Sequence, residues 1–93
     1  MINEGLKQLG YQQITSLSSA TALTVPKGTS LVLVSPQTQA VRWRDDGIDP
    51  SATVGYPLSL GSELHYDGAF AAGIKFIEQT ASATINVLYY GRS

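Results

Sequence analysis

Apolar residues in this chain recur at every second position, in short runs that end at turn-forming residues. Ile85, Val87 and Tyr89 fall on one face of an extended segment, with Leu88 and Tyr90 on the other. Val41 and Trp43 share a face in the same way, opposite Arg42 and Arg44. Asp45-Asp46-Gly47 then supplies turn chemistry, with Gly47 free to take a positive φ. A period of two belongs to a strand half-buried in a sheet; the faces of a helix repeat every ~3.6 residues. The pattern restricts the chain to sheets joined by tight turns.

Thr21, Leu23 and Val25 alternate with small or polar residues, and Pro26-Lys27-Gly28-Thr29 turns the chain. Residues 31–35 are apolar on both faces, which suits a central strand. Pro57, inside Tyr56-Pro57-Leu58, predicts an edge or irregular strand. Residues 63–66, 73–79 and 84–90 read as further strands, and residues 13–17 as a weak one. The total is seven or eight short strands spaced by about 8–12 residues, the pattern of a sandwich or small barrel. The expected fold is all-β: a small antiparallel, jelly-roll-like β-sandwich over residues 11–93, preceded by a short N-terminal arm at residues 1–10. Inward parity puts Val41, Trp43, Leu64, Tyr66, Ile74, Phe76, Ile85, Val87 and Tyr89 in its core. A faint echo links residues 36–41 with residues 78–83, two strand–polar turn–strand units that hairpin chemistry accounts for.

The arm differs from the rest. Ile2, Leu6 and Leu9 recur at i, i+4 and i+7 behind Asn3, a residue suited to an N-cap. Gly5 and the short length weigh against an isolated helix. The segment reads either as a loose tail or as an arm whose apolar residues dock on a neighbour.

Composition narrows the function. Charged residues make up 14% of the 93 residues and the net charge is −1, so no basic footprint for nucleic acid is present. Cysteine is absent, which removes disulfides and thiolate chemistry. Met1-Ile2-Asn3-Glu4 lacks the basic start of a signal peptide, and the apolar run at residues 31–34 is too short to cross a bilayer. A soluble protein made in a cytosol, without membrane contact, is expected.

Catalytic chemistry has little to work with. His65 is the only histidine and shares a strand face with Glu63, pointing away from the core; a zinc site needs three or four ligands. Asp45, Asp46 and Asp49 lack the ligand spacing of a calcium loop and are explained by turn capping and by pairing with Arg42 or Arg44. No Gly-x-Ser-x-Gly elbow is present, and Pro26-Lys27-Gly28-Thr29-Ser30 sits between strands, where a phosphate loop requires a following helix. No enzyme, metal or cofactor is expected.

One series of residues points further. Val41-Arg42-Trp43-Arg44-Asp45-Asp46-Gly47 is followed by Pro50, by Val54-Gly55-Tyr56-Pro57-Leu58, and by Gly61-Ser62-Glu63-Leu64-His65-Tyr66-Asp67-Gly68. Ile74-Lys75-Phe76-Ile77 and Val87-Leu88-Tyr89-Tyr90 complete it. Over residues 31–90 the chain resembles short virion-associated proteins of tailed bacteriophages, which share a V-R-W-R-D-D-G…P…G-x-P-L…G…L…Y-x-G…I-x-F-I…N-V-x-Y-Y pattern. The resemblance implies a structural component of the virion, assembled in the host cytoplasm. Its partners would be the major capsid protein or other virion proteins. Head decoration or cement is the first expectation, a tail or fibre component the second. The resemblance carries over no catalytic residue.

Together with the low surface charge, this gives a homo-oligomeric or particle-bound subunit. Its expected contacts are Ile2, Leu6 and Leu9 in the arm and Arg42, Arg44, Asp45 and Asp46 at the turn. The competing class is a carbohydrate-binding sandwich that uses Tyr56, Tyr90 and the Arg42/Arg44/Asp46 cluster.

Overall fold

A computed structural model describes residues 5–92. The described chain is all-β apart from one 3₁₀ turn at Ala71–Gly73. Its strands are β1 (Leu6–Ile14), β2 (Thr21–Ala22), β3 (Thr29–Gln37), β4 (Val41–Arg44), β5 (Tyr56–Leu58), β6 (Leu64–Asp67), β7 (Lys75–Glu78) and β8 (Thr84–Arg92). They form two four-stranded antiparallel sheets with the orders β1-β8-β3-β6 and β2-β7-β4-β5. Every connection crosses from one sheet to the other except the one between β4 and β5, which stays in its sheet. That winding is the jelly roll.

Alternation set the faces as expected. Val41, Phe76, Ile85, Val87 and Tyr89 point between the sheets and are buried, as is Ile74 just ahead of β7. Trp43, Leu64 and Tyr66, also expected inside, are partly buried and pack against the core at its margin. The core further includes Ile14, Leu17, Leu23, Val32, Val34, Leu58, Ala71 and Ala83. β3 is central, apolar on both faces, and β5 with Pro57 is an edge strand. Pro36 lies inside β3, but the pairing of β3 with β6 stops at Val34. It therefore has a strand neighbour on one side only, which tolerates the missing N–H.

Two expectations are corrected. Leu6 and Leu9 do not belong to a separate arm or a helical turn: they lie in β1, an edge strand that pairs with β8 from Leu6↔Arg92 to Ile14↔Ile85. Two features hid this strand. A bulge between Gln8 and Gly10 breaks the period of two, and the inward position at Gln12 is polar. Gln12 is tolerated there because its Oε1 accepts from the Tyr89 hydroxyl at 2.6 Å and from the Thr24 N–H at 3.2 Å. Ile2 lies outside the described residues. The second correction concerns the echo at residues 36–41 and 78–83. Both units are cross-sheet arches rather than hairpins, and they lie side by side because β3 neighbours β8 and β4 neighbours β7. The Thr38 hydroxyl donates to the Ser82 carbonyl at 2.6 Å, and both residues hold positive φ, 72° and 74°.

Candidate functional site

The strand order brings two long connections to one end of the sandwich. β4 and β6 both run toward this end, so the β4–β5 connection (residues 45–55) and the β6–β7 connection (residues 68–74) meet there. The sequence motif that stands out most, Arg42 to Gly47, forms the base of the first connection and is used largely to brace it.

Arg44 chelates Asp46, with Nε–Oδ1 at 3.0 Å and Nη2–Oδ2 at 2.5 Å. Asp46 Oδ1 also accepts from the Ile48 N–H at 3.4 Å, an Asx turn that lets Gly47 sit at φ 84°. The guanidinium hydrogen bond holds the Asp46 carboxyl below its usual range, helped by the Ile48 N–H, and the same bond raises Arg44. Arg42 does not pair with an acid: it donates to the carbonyls of Gly55 at 2.8 Å and Ala52 at 3.2 Å, tying the far side of the loop to β4. Asp49 takes Lys75 of the neighbouring strand, at 2.9 Å. Asp45 accepts from the Tyr66 hydroxyl across the gap between the sheets. That bond, reinforced by burial and by the negative charges of Asp45 and Asp67, pushes the Tyr66 phenol up to about 12.

Packing completes the brace. Pro50 is buried, and Gly55 lies against it. A Cβ on Gly55 would meet Arg42 Cβ at 3.1 Å, Pro50 Cβ at 3.2 Å and the Trp43 carbonyl at 3.3 Å, at a φ of 146° that side chains avoid. Trp43 packs with its ring tilted at 38° and 5.4 Å from Tyr56 and edge-on at 6.0 Å against Tyr66, which links β4, β5 and β6. The resemblance motif V-R-W-R-D-D-G…P…G is therefore, residue by residue, a loop-holding device.

Among exposed polar residues such as Asp49 and Thr53, this end of the sandwich also presents bulky apolar side chains. Ile48, Val54, Tyr56 and Phe70 are all more than half exposed, Tyr56 by 67% and Phe70 by 68%. Between the two connections lies an open depression of about 580 Å³, lined by Asp45, Asp46, Tyr66, Ala69, Phe70 and Gly73 together with Ala72. Its lining combines two aromatic rings, Tyr66 and Phe70, with two carboxylates, Asp45 and Asp46.

The residues expected to make contacts are divided. Arg44, Asp45 and Asp46 lie together at this end, with Asp45 and Asp46 on the depression, while Arg42 is turned into the loop's own carbonyls. Leu6 and Leu9 are strand residues of the other sheet. Tyr90, grouped with Tyr56 in the saccharide reading, lies on the outward face of that other sheet, so the two do not form one platform. His65 is exposed and pairs with Glu63 at 2.8 Å. Among the described residues no group of three or more His, Asp or Glu is placed to hold a metal.

Sequence reading missed Ile48 and Val54. Their one legible signal was a bulky apolar side chain in a connection otherwise made of turn formers. No protein-family model, curated protein or solved structure matches the chain.

Proposed function

We propose that the chain is a non-enzymatic structural subunit of a tailed-phage virion, a head decoration or cement protein, docking through its braced loop end. The observation that carries this reading is the pairing of bracing with apolar exposure: Ile48 and Val54 project from a connection pinned by Arg42, Arg44, Lys75 and Tyr66, with Tyr56 at the start of β5 and Phe70 on the adjoining connection beside them. A pinned loop loses little entropy on docking, and aromatic anchors of this type dominate the energetics of protein interfaces. The partner in this reading is the major capsid protein or a neighbouring virion protein. The test is quantitative mass spectrometry and immunogold labelling of purified virions of the phage that encodes the chain. Many copies per particle with label on the head are expected. Label confined to the tail moves the assignment to a tail or fibre component, and absence from particles ends it.

A second reading is favoured by one feature, the depression lined by Phe70, Tyr66, Asp45 and Asp46. Aromatic rings and carboxylate acceptors in one depression suit a sugar ring, apolar on its faces and hydroxylated at its rim. Chemical-shift changes at Phe70 on adding oligosaccharides would favour it over protein docking.

A further inference from the structure

The outward face of the β1-β8-β3-β6 sheet carries apolar residues that the core does not use. Registry arranges them in rows. Tyr11, Leu88, Leu33 and His65 run side by side across the four strands, and Gln8, Tyr90, Leu31 and Asp67 form the next row. Leu33 is only 4% exposed although it is outside the inter-sheet core, so its cross-strand neighbours already exclude water from it. Leu31, Leu88 and Tyr90 are half-buried around it. Asp67 ends the β6 edge of the face with a carboxylate, and Arg92 ends β8 on the same face with a guanidinium, one step beyond the Tyr90 row.

These rows are complementary to their own reversal. Let a second copy be turned over about an axis along the strands, midway between β8 and β3. Each row then lies on itself read backwards: Leu88 over Leu33, Tyr90 over Leu31, Tyr11 over His65 and Gln8 over Asp67. Arg92 of each copy then comes diagonal to Asp67 of the other. A face that lays the half-buried Leu88 and Tyr90 of each copy on the β3 column of the other, with Arg92 diagonal to Asp67 on both sides, fits its own copy better than an unrelated surface. The sandwich measures 38 × 26 × 18 Å, and its broad face is large enough for the roughly 800 Å² per partner that a stable interface buries.

We propose that this sheet face binds a second copy of the chain in a twofold, face-to-face dimer. Ile48 and Val54 in the β4–β5 connection and Tyr56 in β5 belong to the opposite sheet, and the dimer is read out at Leu88 and Gln8, which the loop-end reading does not use, so the two proposals fail independently.

Sedimentation equilibrium on the purified chain tests it. The parent should behave as a species of twice the 9.9 kDa chain mass at micromolar concentration. Leu88→Lys should raise the dimer dissociation constant by at least about 100-fold, with the strand circular-dichroism spectrum retained. Because Leu88 also touches Leu33, a pair of changes at exposed Gln8 provides a readout that misfolding would not mimic. Gln8→Glu, set over Asp67 of the other copy, should weaken the dimer about five- to tenfold, and Gln8→Lys should tighten it by a similar factor. A parent that stays monomeric to millimolar concentration overturns the proposal. So does a dimer that responds neither to Leu88→Lys nor, in opposite directions, to the two Gln8 changes.

Discussion

Phe76 is fully buried between the sheets, whereas Trp43 sits at the margin with its ring shared between Tyr56 and Tyr66. Phe76→Ala should therefore cost about 3–5 kcal/mol and Trp43→Ala less, about 2–3 kcal/mol, in denaturant unfolding. The Trp43 indole N–H is buried with no acceptor among the described residues. Trp43→Phe keeps a ring in place and removes that orphan donor, so its cost should stay under about 1.5 kcal/mol. Tyrosines set the behaviour in alkali. Hydrogen bonding to Asp45 raises Tyr66 to about 12, and burial raises Tyr89 to about 12. Each folded pKa lies above the ordinary phenol value of about 10, so the neutral form is the one the fold favours. Their contribution is complete below pH ~10 and is lost as pH rises through ~12. Denaturation midpoints should fall across that window, and Tyr66→Phe should make the fall shallower. An unchanged slope would remove Tyr66 from the account.

β1 is the element whose role changes most between sequence and structure. If residues 1–10 were a detachable arm, removing residues 1–9 would leave the sandwich intact. In the fold, that deletion strips the Leu6–Gln8 pairs from β8 and removes Leu9, the residue that packs over Gly91. A lowered melting temperature is expected, and an unchanged one would contradict the strand. Gly68 makes a sharper test of how β3 and β6 join. Its N–H donates to the Ser30 carbonyl at 2.9 Å, and a Cβ there would stand 2.3 Å from the Thr29 carbonyl oxygen. Gly68→Ala should destabilise the protein by about 3 kcal/mol, and thermal unfolding measures it directly.

Strands β4, β6, β7 and β8 were legible because alternation and turn residues agree in each of them, while β3 showed as a run apolar on both faces and β5 as an edge marked by Pro57. β1 was not, because a bulge and an inward Gln12 erase the period. The loop end was half legible. Asp45, Asp46 and Gly47 announce a turn, but the partner of each charge depends on which strands become neighbours. Nothing local says that Asp49 meets Lys75 or that Asp45 meets Tyr66.

On the scale of the whole molecule, a jelly roll supplies a rigid frame with one elaborated end, and the frame alone does not select a function. What singles out the loop end is that charged residues are spent on holding it while apolar residues face outward. In the proposed docking, binding energy rests on Tyr56 and Phe70, and the charges around them shape the loop. Exchanging the two aromatics should therefore abolish attachment without unfolding the protein, since both are more than half exposed. The measurement is co-sedimentation of purified chain with phage particles depleted of it, comparing the parent with Tyr56→Ser/Phe70→Ser. The parent should saturate the particles while the double variant, folded by circular dichroism, loses at least about 100-fold in affinity. Equal occupancy by both proteins would contradict docking through the loop end.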